Sequence, residues 1–300
     1  MKTLIGMVTF GNLPFSQLTV RSIEETVKSP YELFVVAGKP SDNATKAWLK
    51  ATSIPHIVHD RNYGLPYSIN DIYDYAWKEN DFDAIVIIGN DVIAYPYAID
   101  SLITIAETTD NEWVCSREYD ARALCRDVPE AREYFHGDKL KFKDFDKRPW
   151  ELNMRVSPEI AIGEAGLSDV HNLALFKKGV FDRIGYIDVN FYPAYYEDND
   201  YVRRAINAET PSCTVNNAVY FHFWSRTIHQ ETGGSTHRYF QMNRNFYILK
   251  WGGDFGKERF TLPFDGNPYN FGGIELPPAL KLDSRDDELA IIKQWRSKGV

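Results

Sequence analysis

Long apolar runs are absent from this chain of 300 residues, and cysteine is scarce. No segment approaches the ~20 apolar residues that a membrane-spanning helix needs, so any association with a membrane would be peripheral. The opening stretch MKTLIGMVTFGNLPF has too short an apolar run for a signal peptide and is typical of a buried strand. The three cysteines, Cys115, Cys125 and Cys213, form no CxxC pair and leave one over. This usage favours a reducing, cytoplasmic compartment over a disulfide framework.

An excess of positive charge is also missing. The formal net charge is -8, which argues against broad electrostatic capture of nucleic acid, because such capture needs a basic face. One stretch, KLKFKDFDKRPW, mixes basic and aromatic residues. The acids within it favour a solvated loop over a site for a polyanion.

The residues that are plentiful indicate an α/β protein. The first third of the chain alternates apolar, strand-like segments such as YELFVVA and DAIVIIG with helix-like segments. This rhythm predicts a mostly parallel central sheet with helices on both faces. Later, STHRYFQMNRNFYILKWGG is typical of a helix ended by glycine, and a further helix is predicted around DDELAIIKQWRSK.

Ligands of such sheets bind at the carboxyl ends of the strands. In VIIGNDV, Asp91 lies at a strand tip and suits a divalent cation that holds a diphosphate, although GND is also good turn chemistry. In DRNYGLPYSIN, Asn62 and Gly64 predict a tight turn. His222 ends a strand among aromatic residues, where a histidine is more often a packing residue. Beyond it, a glycine-containing loop with Arg226 could close over phosphates or be a plain linker.

Clustered acids follow aromatic rings in FYPAYYEDNDYVRRA. Asp198 could cap a helix there, and acids in a first turn favour the positive end of the helix dipole. Alternatively, these carboxylates supply a general base beside a stacking platform for a substrate. Asp200 is expected in the first turn of the helix, bonded to Arg203 or Arg204.

The order of these features resembles the GT-A-fold glycosyltransferases, and more closely the inverting group called glycosyltransferase family 2. The resemblance covers roughly residues 3 to 117 and 165 to 253. The segments that carry it are TFGN, RNYGLPYSIN, IIGNDV, FKKGVFDRIGYIDVNFYPAYYEDNDYVRRA, HFWSRT and RNFYILKWGG. One departure is that Gly89 stands where the family's Asp-x-Asp metal motif usually has its first acid, which leaves metal dependence open.

The resemblance implies a division of the chain. A GT-A domain would occupy residues 1–253 and be followed by a C-terminal extension, 254–300. Within the domain, residues 1–116 would bind the nucleotide sugar, 117–165 would form a variable acceptor region, and 166–253 would form the acceptor and catalytic half.

The resemblance further implies transfer of a sugar, with inversion, from a UDP-, GDP- or dTDP-linked donor to an acceptor hydroxyl. Asp198 would be the general base, and Glu197 would bind the acceptor or orient the site. Tyr195 and Tyr196 would pack on the acceptor sugar. Asp91, with His222 as second ligand, would hold Mn²⁺ or Mg²⁺. Contacts with the nucleotide sugar are expected from Thr9, Phe10, Gly11, Gly38, Lys39, Asn62, Asn90 and Arg226. Asp42 is the candidate for an acid that many relatives have after the second strand.

Two other classes of function compete with this one. A non-catalytic relative that binds a nucleotide or glycan is kept open by Gly89, while Asp198 and His222 argue against it. A nucleotidyltransferase would need a glycine-rich loop with Arg and Lys after the first strand, which TFGNLPF lacks. The acceptor stays open among a polysaccharide, a lipid-linked sugar, a protein and a modified base in nucleic acid. Only the basic stretch at 139–155 hints at the last of these. The absence of a Q-x-x-R-W motif favours addition of one sugar or a few.

Overall fold

The structure is a computed structural model that describes residues 1–39, 41–119, 135–136, 139–140, 160, 162–163, 172–223 and 238–297. Most of the predicted acceptor region and the predicted phosphate contact Arg226 lie outside the described residues. In the part of the chain that is described, no helix is long and apolar enough to cross a membrane.

Strands and helices alternate through the first third of the chain, as the apolar pattern predicts. The strands are β1 (Thr3–Thr9), β2 (Glu32–Ala37), β3 (His56–Val58), β4 (Ala84–Gly89), β5 (Val92–Ala94), β6 (Trp113–Glu118), β7 (Phe135–His136), β8 (Lys139–Leu140), β9 (Ile162–Gly163), β10 (Leu173–Lys177), β11 (Ser212–His222), β12 (Tyr269–Phe271) and β13 (Ile274–Leu276). The helices are α1 (Leu13–Thr26), α2 (Asn43–Ala51), α3 (Leu65–Asp74), α4 (Ala98–Thr108), α5 (Lys178–Ile184), α6 (Glu197–Asn207), α7 (Arg238–Trp251) and α8 (Ala290–Ser297).

Both helices predicted for the last part of the chain are confirmed. Helix α7 ends at Trp251, and the next residue, Gly252, has a positive φ of 72° that glycine adopts without strain. Helix α8 lies within the predicted charged segment near the C-terminus.

The central sheet has the strand order β3-β2-β1-β4-β10-β6-β11-β5, with β9 paired to β11. The first four strands of this order are parallel, β10 runs antiparallel to both of its neighbours, and β6 and β11 are parallel to each other. The predicted α/β architecture with a mostly parallel sheet is therefore confirmed. Because of these directions, the carboxyl ends of β1, β2, β4, β6 and β11 all meet at one edge of the sheet.

Both faces of the sheet are covered by helices. Neighbouring residues of β1 point to opposite faces, and Leu4 and Ile5 accordingly belong to different buried clusters. Residues of α1 and α4 pack on the side of Ile5, and residues of α3 and α6 pack on the side of Leu4. Gly6 permits close packing of α3, since a Cβ there would lie 2.4 Å from Cγ2 of Ile72. Burial on both faces explains the continuous apolar runs of the central strands.

A third apolar cluster joins the C-terminal segment to the second half of the chain. It combines aromatic residues of α7 and of the loop before α6 with Phe264, Leu276, Leu289 and Ile292. The C-terminal segment is also joined to the stretch after α5, where the amide of Tyr186 donates to the carbonyl of Leu282 at 2.9 Å. Residues 254–292 thus pack against the segment that leads into α6. The predicted boundary at residue 253 stays a prediction.

Candidate active site

The ends of β1 and β2 bring together five of the residues predicted to bind the nucleotide sugar. The amide of Gly38 donates to the carbonyl of Thr9 at 2.8 Å, and the ammonium of Lys39 lies 5.8 Å from the centre of the Phe10 ring. Gly11 has a φ of +81°, and a Cβ there would lie 3.3 Å from Cδ of Lys39. These residues form a small group with one cation and one ring at the ligand edge of the sheet.

The side chain of Asn90 is committed to this loop. Its amide nitrogen lies 3.3 Å from both the Thr9 hydroxyl and the Gly11 carbonyl, and 3.2 Å from the Ser16 hydroxyl. The hydroxyl of Thr19 donates to the Asn90 carbonyl at 2.9 Å. Asn90 therefore fastens the loop between β1 and α1 to the tip of β4. Its predicted contact with the nucleotide sugar stays a prediction.

Asp42, the candidate acid near the second strand, caps helix α2. One of its carboxylate oxygens accepts from the amide of Thr45 at 3.1 Å, and the other accepts from the Thr45 hydroxyl. Asp42 is the N-cap residue of α2. The same carboxylate lies beside Gly11, where a Cβ would be 3.9 Å from Oδ2. The Asp42 carboxylate therefore caps α2 and also lies next to the loop between β1 and α1.

The predicted metal ligands, Asp91 and His222, are adjacent. Oδ1 of Asp91 lies 3.3 Å from Nε2 of His222, and their side chains are 11% and 14% exposed. The two residues meet because β11 pairs with β5 just after the tip of β4, with His222 opposite Val92. On the other side of the ring, Oε2 of Glu118 lies 3.8 Å from Nδ1. No local motif around Glu118 predicts its contact with His222, because only the pairing of β6 with β11 brings the two side chains together.

The two carboxylates beside His222 favour the protonated form of its imidazole. Burial alone would lower the pKa of His222, but the charges of Asp91 and Glu118 raise it to about 9. A carboxylate oxygen and an imidazole nitrogen this close form a donor set that fits a divalent cation whose other positions are filled by phosphate and water oxygens. Among the described residues, no group of three or more His, Cys, Asp or Glu side chains could hold a metal ion. Within the described part of the chain, Asp91 and His222 would therefore be the two ligands.

Gly89 stands where the resemblance expects the first acid of the metal motif. A Cβ at Gly89 would lie 3.1 Å from Cγ2 of Val92 and 3.4 Å from Oδ1 of Asp91. An aspartate here would crowd Val92 and bring a second carboxylate against the first. The tight packing gives a physical reason for glycine at this position.

The turn at Asn62 links the end of β3 to the loop before α6. The side-chain oxygen of Asn62 accepts from the amide of Gly64 at 2.9 Å, which confirms the predicted turn. The next amide, that of Leu65, donates to the carbonyl of Pro193 at 2.7 Å. Gly64 has a φ of +87°, and a Cβ there would lie 2.8 Å from Cδ2 of Tyr192. Only glycine lets the two loops approach this closely.

Helix α6 begins at Glu197, so the predicted acids do lie in its first turn. The suggestion that Asp198 caps the helix is wrong, because the N-cap residue is Tyr196. Tyr195 and Tyr196 have positive φ angles of 80° and 68°, which tyrosine seldom adopts. This unusual backbone turns the chain so that Glu197 and Asp198 are the first helical residues.

The two adjacent carboxyl groups at the start of α6 differ in exposure. Glu197 is 5% exposed, and burial together with neighbouring Asp198 raises its pKa well above the ordinary value. Its Oε2 atom has no hydrogen-bond partner among the described residues. Asp198 is only partly buried. Burial raises the pKa of Asp198, while the amide of Asn199, 2.7 Å from Oδ1, opposes the rise. A reachable carboxylate with a raised pKa suits proton abstraction.

The predicted acceptor-binding rings pack against helix α7. The rings of Tyr195 and Phe240 lie 5.2 Å apart, and those of Tyr196 and Tyr247 lie 5.3 Å apart. The hydroxyl of Tyr196 donates to Asp254 at 3.2 Å. Both rings are partly exposed. Their contact with an acceptor stays a prediction.

Asp200 belongs to a fully buried ionic network below the site. Nε of Arg204 donates to one of its oxygens at 2.9 Å, and Nζ of Lys250 lies 2.7 Å from the other. Lys250 also donates to Asp188 at 2.8 Å, and the Trp251 indole donates to Asp200 at 2.9 Å. The predicted partnership of Asp200 with an arginine of its own helix is confirmed at Arg204. The network joins α6, α7 and the segment before α6.

We expect that Glu197→Gln stabilises the protein at pH 8. A carboxyl group with a raised pKa favours the folded state below its ordinary pKa, and this contribution is lost as the pH rises through the folded-state value. Glutamine stays neutral, and relief of a buried unpaired acid contributes about 1–3 kcal/mol. Urea denaturation at pH 5 and pH 8 measures this, with exposed Glu275→Gln as control. A variant less stable than wild type at pH 8 would contradict the burial argument.

Comparison with known proteins places the fold. No protein-family model matches the sequence, and no curated protein matches it. Among solved structures, the mannosyltransferase PcManGT from Pyrobaculum calidifontis in complex with GDP-Man and Mn²⁺ has a TM-score of 0.50 at 11% identity, over 83% of this chain and 62% of that one. TarS 1–349 from S. aureus has a TM-score of 0.48 at 10% identity, over 77% and 63% of the two chains. Its complex with UDP-GlcNAc has a TM-score of 0.49 at 10% identity, over 74% and 58%.

This chain spans about three fifths of the length of each of these proteins. The likeness to PcManGT is one of fold. With the parallel first half of the sheet and the antiparallel β10 at its centre, the chain has a GT-A-like glycosyltransferase fold.

Proposed function

We propose that the protein is an inverting glycosyltransferase that moves a sugar from a nucleotide diphosphate sugar to an acceptor hydroxyl. The observation that carries this proposal is the pair of acids at the start of α6, one buried and one reachable, both with raised pKa values. The loop before them is hydrogen-bonded to the turn at Asn62, at the edge of the sheet where nucleotides bind. The fold supports it too, since PcManGT has this fold and binds GDP-Man.

In this proposal, Asp198 takes the proton from the acceptor hydroxyl as its oxygen attacks the anomeric carbon. The bond between that carbon and the diphosphate oxygen breaks on the opposite face, so that the configuration inverts. A positioned base of this kind contributes roughly 10²–10⁴-fold to the rate. The unpartnered oxygen of Glu197 accepts a hydrogen bond from the acceptor and orients it, and the rings of Tyr195 and Tyr196 pack on an apolar sugar face.

The nucleotide lies at the ends of β1 and β2. Thr9, Phe10 and Gly11 contact the base and ribose, together with Gly38 and Lys39, and the cation of Lys39 adds a donor. Asn62 and Asn90 contribute through the turns that they hold. Arg226, outside the described residues, neutralises phosphate charge in this proposal.

Asp91 and His222 are the residues that would hold Mn²⁺ or Mg²⁺. When bound, the cation supplies charge neutralisation for the departing diphosphate. The chain's own contribution is to present one carboxylate and one imidazole side by side, with Glu118 holding the far side of the ring. Binding of the cation requires His222 to give up the proton that Asp91 and Glu118 favour.

The first test is release of nucleotide from a panel of UDP-, GDP- and dTDP-sugars, with Mn²⁺ or with EDTA. We expect slow hydrolysis of one donor in Mn²⁺ and loss of that activity in EDTA. Asp91→Asn should lower the activity by more than about 10-fold, because even residues that only hydrogen-bond a metal ligand have effects of that size. Asp60→Asn is the matched control, since Asp60 follows β3 at the same edge but is 78% exposed.

The outcomes separate the parts of the proposal. Turnover that survives EDTA would contradict the metal role of Asp91 and His222 and leave Asp198 as the base. If no donor of the panel released nucleotide and none shifted the melting temperature, the proposal that the protein is an enzyme would be contradicted. This outcome would favour the non-catalytic glycan-binding alternative.

A further inference from the structure

Asn243 lies on helix α7 and faces the loop that precedes α6. Its side-chain nitrogen is close to four backbone carbonyl oxygens of this loop: Phe191 at 2.9 Å, Tyr192 at 3.2 Å, Ala194 at 2.8 Å and Tyr195 at 3.2 Å. An amide has two protons, so that some of these contacts are shared. The side chain is completely buried.

The orientation of this amide follows from its surroundings. Four carbonyl oxygens around one atom require a donor there, because an oxygen in that place would face four others. The amide oxygen of Asn243 has no hydrogen-bond partner among the described residues. The side chain is thus used as a donor to the loop, and its acceptor is left without a bond.

The loop has a backbone that its sequence does not favour. Tyr195 and Tyr196 both have positive φ angles, and consecutive left-handed residues without glycine are rare. Such a conformation persists only when its surroundings hold it. On the side of α3, the loop is held by the Leu65 amide bound to the Pro193 carbonyl. On the side of α7, the side-chain amide of Asn243 donates to backbone carbonyls of the loop.

The position of the acids depends on this loop. Glu197 and Asp198 follow Tyr196 directly, and Tyr196 is the N-cap of α6. A change in the two left-handed residues would redirect the first turn of the helix, while the buried Asp200 pair lower in the helix keeps its body in place. A small displacement of a catalytic group lowers a rate steeply, by about 10²-fold for 1 Å.

We infer that Asn243 is a positioning residue, which sets the conformation of the loop 191–196 and through it the place of the Asp198 carboxylate. This inference rests on the proposed function as far as catalysis is concerned. Asn243 touches neither donor nor acceptor in this assignment. Its loss should lower kcat and leave binding of the nucleotide unchanged.

The test compares Asn243→Ala and Asn243→Asp with Asn245→Ala, a matched variant of an exposed asparagine on the same helix. Alanine removes the donor, and aspartate replaces it with an oxygen of similar size. We expect kcat on the donor identified by the panel to fall about 10²-fold in Asn243→Ala, with the Kd for its nucleotide within about 2-fold of wild type. Hydrogen exchange should become faster in residues 191–198 and stay unchanged in β1 and β4. Asn245→Ala should behave as wild type.

Several results would overturn the inference. Unchanged exchange in residues 191–198 would show that Asn243 does not hold the loop. Faster exchange with unaltered kcat would show that the loop does not place the base. If kcat and nucleotide affinity fell together with the melting temperature, the effect would be one of global stability. If the wild type turned over no donor, the proposed function would fail, and the exchange data would still decide whether Asn243 fixes the loop.

Discussion

Asp198→Asn is expected to lower kcat by roughly 10²–10⁴-fold, the usual contribution of a positioned general base. Asparagine keeps the size of the side chain and its oxygen can still accept from the amide of Asn199, so that the start of α6 should survive. It has no carboxylate to take the acceptor proton. Affinity for the nucleotide should change little, because the base and ribose are proposed to lie at β1 and β2. Initial rates with a saturating donor, and the Kd of the nucleotide, measure the two effects separately.

The control is Asp182→Asn, an exposed acid on α5 that pairs with Lys178. Surface changes of this kind leave activity and stability nearly unaltered. The pH dependence adds a second check. Since burial raises the pKa of Asp198, activity should fall with decreasing pH at a value above the ordinary aspartate pKa, and this limb should vanish from residual turnover by Asp198→Asn. An active Asp198→Asn enzyme would contradict the assignment of the base.

Lys250→Met is expected to lower the free energy of unfolding by about 3–5 kcal/mol, the typical effect of breaking a buried ion pair. Nζ of Lys250 lies between Asp188 and Asp200 at 2.8 and 2.7 Å, and the side chain of Lys250 is 3% exposed. Methionine fills most of the space but leaves both carboxylates without this cation. Arg204 and the Trp251 indole would still hold Asp200. Urea denaturation at pH 7 measures the loss.

Lys178→Met is the matched control, because that lysine makes an exposed pair with Asp182 on α5. Exposed pairs of this kind contribute little. At acid pH, the difference in free energy of unfolding between wild type and Lys250→Met should become smaller. Burial alone would raise the pKa of Asp200, but the charges of Lys250 and Arg204 lower it below its ordinary value. The stability that this group contributes is therefore present above the unfolded pKa of ~4 and lost as the pH falls through the folded value. A loss independent of pH would point to packing alone.

Much of the sheet could be predicted from local pattern. The strand expected in MKTLIGMVTFGNLPF is β1 (Thr3–Thr9), and the one expected in DAIVIIG is β4 (Ala84–Gly89), because a strand buried on both faces needs an unbroken apolar run. The turn at Asn62 was also predicted, since it depends on a side chain and a backbone amide only two residues apart. Structural features that depend on such short separations along the chain can be predicted from a few neighbouring residues.

The start of α6 shows where such reasoning fails. Asp198 has the chemistry of an N-cap, yet the cap is Tyr196. Two tyrosines with positive φ have no local signal, because tyrosine disfavours that conformation by itself. The conformation is held by two residues distant in the chain, because Asn243 donates to the carbonyl of Ala194 and the amide of Leu65 donates to the carbonyl of Pro193. The conformation exists only once α3, α7 and the loop are packed together.

By itself, the sequence determined the order of strands and helices, the strand-end positions where a ligand would bind, and the types of residue available there. These depend on side-chain periodicity and on hydrogen bonds between near neighbours. Tertiary packing places His222 between Asp91 and Glu118, would crowd a side chain at position 89 against Val92, and buries the Glu197 carboxyl group. Each of these depends on strand pairing and packing between distant segments, and the pKa of a carboxyl or imidazole group follows from the neighbours that such packing supplies.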